Sequence, residues 1–120
     1  CCHVRKLIPL AQALKGYDGW ISGIRIAQSI TRSDTKLVEF DGKFELLKFN
    51  PLAHFSDEEV ERYMRESAIP SNALYAKGFK SIGCKPCTRA IKEGEDIRAG
   101  RWWWENPEHK ECGLHLHKEK

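Results

Sequence analysis

The sequence predicts a mixed α/β chain that gives way, after about residue 80, to an irregular thiol-bearing segment. Three observations predict it. Apolar residues recur at helical spacing over residues 1–15 and again after Ser56. Between these segments, residues 36–40 and 44–49 flank Asp41-Gly42, a strong hairpin signal. From residue 81 to 113 the periodicity fades, and two thiol motifs, four glycines, two prolines and three consecutive tryptophans take its place.

Each element has a local cause. Val4, Leu7, Ile8, Ala11 and Leu14 predict a helical stretch over 1–15, with Arg5, Lys6, Gln12 and Lys15 mostly on the other side. Pro9 is expected to kink or end its first segment, and Gly16 to stop it. The short apolar run GWISGI, residues 19–24, reads as a buried strand. Residues 30–34 read as mostly polar loop, followed by the hairpin. Ser56 and Glu59 have capping-box spacing, and Asp57, Glu58 and Glu59 put acids where a helix N-terminus favours them. This helix is expected to run to about Ser67, burying Val60, Tyr63 and Met64, with Pro70 beyond its end. Residues 71–79 hold one more short helical turn, ended near Gly78. There is no internal repeat and no low-complexity segment.

Composition narrows the function. The 120 residues suit one modest domain or part of a larger one, and 41% hydrophobic content permits an ordered core. With 31% charged residues, no apolar run approaches the ~18 residues of a membrane span, so no membrane role is expected. Lys and Arg number 20 against 17 Asp and Glu, a net charge of +3. That suits an anionic small ligand and is too weak for nucleic acid without a basic stripe. Five cysteines, an odd number, argue against a closed disulfide framework. No secretory signal precedes the first cysteine pair, so a cytoplasmic setting is expected. The chain begins at Cys1 and its one methionine is Met64, which points to a piece of a longer chain whose missing part is N-terminal.

The thiols are the most informative residues. Cys84 and Cys87 form C-x-x-C, a spacing that lets two thiolates reach one metal centre. Structural zinc, a redox dithiol and two unrelated buried thiols are competing readings. Cys1 and Cys2 are adjacent, and neighbouring helical side chains point about 100° apart. That suits a small tetrahedral ion poorly and a larger iron–sulfur cluster better, so spacing ranks a cluster above zinc. Cys112 is left over, with His109 and Lys110 before it and His115 three residues after it. Cationic neighbours favour a thiolate. An inconsequential tail thiol is the blander alternative, made less comfortable by Trp102-Trp103-Trp104, whose rings need partners.

Arg25, Arg32, Arg98 and Arg101 stand in the stretches SGIRIAQSITR and EDIRAGRW. Guanidinium forks match phosphate and sulfate geometry, although single surface arginines are usually only solvated. Two of them in a loop of little regular structure have few structural uses. Lys6 falls four residues after Cys2, one helical turn on, and would offset negative charge on a cluster bound there.

Together these residues resemble the C-terminal half of assimilatory adenylyl-sulfate reductase, the cluster-bearing branch of the adenylyl-sulfate and phosphoadenylyl-sulfate reductases. The resemblance covers nearly the whole chain: CCHVRKLIPL, GIRIAQS with TR, KFNPLAHFSDEEV, IPSNALYAKGFKSIGCKPCTR, GEDIRAGRWWWE and KECGLH. It implies an α/β fold, the C-terminal portion of an adenine-nucleotide α-hydrolase-like fold, with a parallel sheet flanked by helices. Residues 1–80 would form the α/β portion, and 81–120 the cluster-binding loop and tail. By the same resemblance, Cys1, Cys2, Cys84 and Cys87 would bind a [4Fe-4S] cluster with a structural and electrostatic role. Cys112 would be the nucleophile with His115 beside it, in a tail that moves between substrate and reductant. Lys6, Arg32, Arg98 and Arg101 match anion-contact positions, and Arg25 joins them as a substrate-binding candidate. Adenylyl sulfate would be the substrate and thioredoxin or glutaredoxin the reductant.

One departure stands out. The family's glycine- and serine-rich phosphate loop is absent from this sequence, so the adenosine pocket is expected elsewhere and the piece alone is expected to be inactive. The few strands would pack poorly alone, which leaves a homo-oligomer or partial disorder open. Two alternatives remain: the same chemistry on phosphoadenylyl sulfate, and a four-cysteine zinc-stabilised binding module.

Overall fold

A computed structural model describes residues 2–106 of the chain. At its N-terminus a π-type turn, His3–Leu7, runs directly into helix α1, Ile8–Ala13. Pro9 lies in the first turn of α1, where it contributes no N–H to the helical bonding that continues from the preceding turn. Its ring disfavours an ordinary α-turn against the preceding residues, and the turn before it takes the wider form. Pro9 thus joins two helical segments rather than ending the run. The apolar stripe expected here is only partly covered: Leu7 and Leu14 are half-buried, whereas Val4 and Ile8 are exposed.

Three strands follow: β1, Gly19–Ile21; β2, Val38–Asp41; and β3, Leu46–Phe49. Their order is β1-β3-β2, with β1 parallel and β2 antiparallel to β3. The sheet is therefore mixed: β1 runs parallel to β3, and the expected Asp41-Gly42 hairpin adds an antiparallel pair by folding β3 back on β2. The Asp41 carboxylate accepts the Lys43 N–H at 3.0 Å, and its carbonyl accepts the Phe44 N–H at 3.2 Å.

The register separates the two faces. The rows Ile21–Phe49–Val38 and Gly19–Leu47–Phe40 share one face, and the row Trp20–Lys48–Glu39 lies on the other. Ile21, Val38, Phe40, Leu47 and Phe49 are all exposed. The expectation that 19–24 is a buried strand is thus corrected: β1 is shorter, and Ile21 is 73% exposed because no described element covers its face.

The opposite face is buried and polar. Lys48 Nζ pairs with Glu39 at 3.1 Å and lies 5.4 Å from the centre of the Trp20 ring. Asn50, fully buried, accepts from the Ser22 hydroxyl at 2.6 Å and donates to the Lys36 carbonyl at 2.8 Å and Glu39 at 3.0 Å. A buried polar cluster is tolerable when its members satisfy one another, as here. The chain then leaves the sheet under control: Ala53 N–H bonds Asn50 and Ile26 N–H bonds Ala53, which fixes where Arg25 emerges.

Helix α2 spans Asp57–Glu66 with both capping-box bonds formed: Glu59 N–H to Ser56 Oγ at 3.1 Å and Ser56 N–H to Glu59 Oε2 at 2.8 Å. Val60 and Met64 are half-buried, but Tyr63 is exposed, contrary to the expected buried stripe. Residues 30–34, read as polar loop, contain a 3-10 turn, Ile30–Arg32, whose N-terminal Thr31 N–H bonds the Ser29 hydroxyl. Further 3-10 turns are Ile26–Gln28, Tyr75–Lys77, which ends at Gly78, and Lys85–Cys87. Beyond residue 80 the described chain is irregular, as expected, with one isolated bridge between Thr88 and Arg101. No described helix is long and apolar enough to cross a membrane.

Candidate functional site

A cavity of about 1010 Å³ opens between the N-terminal helical segment, the 25–32 turns, α2 and residues 80–83 and 97–102. Lys6, Arg25, Arg32, Arg98 and Arg101 all line it. With Arg65 and Lys80 they make seven cationic lining residues, against the carboxylates of Asp57 and Glu61. Such a concentration of one sign in a concave site focuses potential on an anion.

Arg25 is held from α2. Its Nη2 pairs with Asp57 Oδ1 at 2.7 Å, and its Nη1 donates to the Phe55 carbonyl at 3.3 Å. The capping box that starts α2 therefore also presents Asp57, the helix's first residue, to this guanidinium. Arg32 Nη1 donates to Gln28 Oε1, and the same oxygen accepts the backbone N–H of Arg25 at 3.2 Å.

Arg98 and Arg101 sit at the two ends of a tight turn closed by Arg101 N–H to the Arg98 carbonyl at 2.9 Å. Asp96 Oδ1 accepts the Arg98 backbone N–H at 2.8 Å and sets the entry to that turn. Gly100 lies so close to the Arg89 carbonyl that a side chain there would collide with it. Both arginines are buried, at 7% exposure. The Arg101 guanidinium stacks 4.3 Å from the Trp102 ring centre and donates to the Ile82 carbonyl at 3.2 Å. A side chain at Gly83 would run into it. Trp102 has φ +40°, a left-handed conformation that costs a non-glycine residue about 1–3 kcal/mol and gathers at functional sites.

The thiol turn adjoins this cavity. Cys87 N–H bonds the Cys84 carbonyl at 2.9 Å, and the Thr88 hydroxyl accepts from Gly83 and donates to the Cys84 carbonyl. Trp102 N–H bonds the Cys87 carbonyl at 3.3 Å. These clamps use backbone and hydroxyl groups, not the thiols. Cys84 and Cys87 are half-buried and not joined in a disulfide, so their donor chemistry fits half of a thiolate metal site. Among the described residues no group of three or more His, Cys, Asp or Glu is gathered as a metal centre. Cys2 is described, next to the His3–Leu7 turn; Cys1, Cys112, His115 and the tail lie outside the described residues.

Sequence reasoning missed Gln28, Asp57, Arg65 and Lys80, which also line the cavity. Helical spacing carried part of the signal. Asp57, Val60, Glu61, Met64 and Arg65 share one face of α2, and that face forms cavity wall where a core stripe was expected.

The chain matches the model of the phosphoadenosine phosphosulfate reductase domain over residues 1–90. It belongs to that family. Among curated proteins it is 53% identical to the adenosine 5'-phosphosulfate reductase of Rhizobium tropici, over 99% of this chain and 66% of that protein. It is 56% identical to proteins of the same name from Agrobacterium fabrum and Allochromatium vinosum, over 97% and 96% of this chain and 45% of each relative. The chain thus spans about half to two thirds of the length of these relatives. Among solved structures, a phosphoadenylyl-sulfate reductase from Candida auris in phosphate complex aligns with TM-score 0.60 and 29% identity, over 70% of this chain and 40% of that one.

Proposed function

We propose that this chain is the sulfate-handling part of an assimilatory adenylyl-sulfate reductase that produces sulfite and AMP in the cytoplasm. The observation that supports it best is the meeting of Lys6, Arg25, Arg32, Arg98 and Arg101 around one cavity next to the C-x-x-C turn. In this reading the guanidinium and ammonium groups hold the sulfate and phosphate oxygens of adenylyl sulfate. The Cys112 thiolate attacks the sulfate sulfur, the sulfur–oxygen bond to phosphate breaks, and AMP leaves with that electron pair. Charge growing on the departing phosphate meets the fixed cations that line the cavity. Cys112 is left as S-sulfocysteine, and His115, three residues on in the sequence, is assigned to the same catalytic segment. A thiolate of thioredoxin or glutaredoxin then attacks Cys112 Sγ, sulfite leaves with the electrons of the sulfur–sulfur bond, and a mixed disulfide forms. The reductant's second thiol resolves that disulfide and restores Cys112.

Cys1, Cys2, Cys84 and Cys87 would hold a [4Fe-4S] cluster, which when bound supplies a structural anchor and a local charge. Lys6 would offset that charge while lining the substrate cavity.

The test has two arms. Protein purified without air is assayed for iron and sulfide, with about four of each per chain expected; zinc in place of iron would favour a structural binding module. The full-length enzyme that contains this chain is incubated with adenylyl sulfate or with phosphoadenylyl sulfate and examined by mass spectrometry. A sulfonate on Cys112, absent from Cys112→Ser and formed faster from adenylyl sulfate, is the expected result. An adduct that persists in Cys112→Ser removes that residue from the mechanism.

A further inference from the structure

We propose that Gln28 is a positioning residue that ties the Arg32 guanidinium to the Arg25 backbone and so aims Arg32 into the cavity that would take the anion. The inference deepens the sulfate-handling reading above and rests on it. The Gln28 carboxamide oxygen accepts the Arg25 backbone N–H at 3.2 Å. The same oxygen accepts Arg32 Nη1. In return, the Gln28 backbone N–H bonds the Arg25 carbonyl at 3.2 Å. One side chain thus closes the Ile26–Gln28 turn and reaches across to the Ile30–Arg32 turn. It also lines the cavity between the two arginines it joins.

The chemistry fixes how the carboxamide is turned. Backbone N–H and guanidinium are donors only, so the oxygen, and not the nitrogen, faces both. Its two lone pairs are then committed to the two arginines. A neutral acceptor suits this place. It orients Arg32 without itself cancelling the charge that an anion must feel, whereas a carboxylate in its position would form an ion pair. Asp57 already makes such a pair with Arg25.

Two variants separate positioning from simple folding. Gln28→Met nearly keeps the length of the side chain and removes the oxygen. Gln28→Glu keeps both acceptor bonds and adds a charge. In the full-length enzyme that contains this chain, Gln28→Met is expected to weaken adenylyl sulfate binding about tenfold, the worth of one hydrogen bond to a charged group, with the larger part in KM rather than kcat. Gln28→Glu is expected to weaken binding at least as much while its thermal midpoint equals or exceeds that of the unmodified protein. A carboxylate in the cavity repels an anion even where Gln28 only folds its turn, so Gln28→Met decides the matter: wild-type affinity in Gln28→Met overturns the proposal. A readout without substrate completes the test. The guanidinium NMR signals of Arg32 in ligand-free protein are expected to shift in Gln28→Met, because the bond to the Gln28 oxygen is lost. Unchanged Arg32 signals overturn the proposal. Failure of adenylyl sulfate to bind the unmodified protein, with the Arg32 signals shifted in Gln28→Met, would sink the parent reading alone and leave the positioning role standing.

Discussion

Arg101 is braced on three sides by groups that carry no charge: the Trp102 ring, the Ile82 carbonyl and the backbone at Gly83. Such bracing restricts the guanidinium at the cavity wall. The loop behind it relies on a different device. Arg89 binds Glu95 through two parallel bonds of 2.9 and 3.0 Å, and Lys92 N–H adds a third at 2.7 Å. The Arg89 bonds first, and then the Lys92 N–H, pull the Glu95 carboxyl from its ordinary 4.5 down to about 2. A carboxylate lowered in this way stabilises the fold fully above pH 4.5 and loses that effect as pH falls toward 2. Thermal unfolding of wild type and Glu95→Gln from pH 7 downward checks it. The gap between them is expected to hold constant to about pH 4.5 and then to narrow. A gap that stays constant to the lowest pH at which the protein folds would rule out the pair as its source.

At the level of elements, the parts that matched expectation are those with local causes. The Ser56 capping box, the Asp41-Gly42 turn and the short turn before Gly78 each depend on residues within a few positions of one another. The misjudged parts depend on what lies opposite. Tyr63 has the spacing of a core residue but points outside the wall that Val60 and Met64 contribute to the cavity. Because α2 buries no residue completely, its cap carries an unusual share of its stability. Ser56→Ala is expected to cost about 1 kcal/mol, measured by urea unfolding. The change should also weaken anion binding, because the start of α2 presents Asp57 to Arg25.

For the whole molecule, the sheet is inverted relative to a simple amphipathic design. Its polar row is inside, and its apolar rows, with Phe40 67% exposed, face outward. An exposed contiguous apolar face marks a surface awaiting a cover. The chain by itself is expected to raise the fluorescence of the apolar dye ANS, and Phe40→Ser to reduce it. Equal emission from the two would show that the face is already covered.

The amino-acid sequence by itself determined the local elements, the thiol spacing and the identity of five of the cavity's cations, because each is written in residue type and short-range spacing. Only the tertiary structure decided that the arginines at 25–32 meet those at 98–101, that Gln28 joins two of them, and which face of the sheet is buried. Those outcomes are set by contacts between segments tens of residues apart. A period of two or 3.6 residues says which side chains share a face, and nothing about what that face will meet.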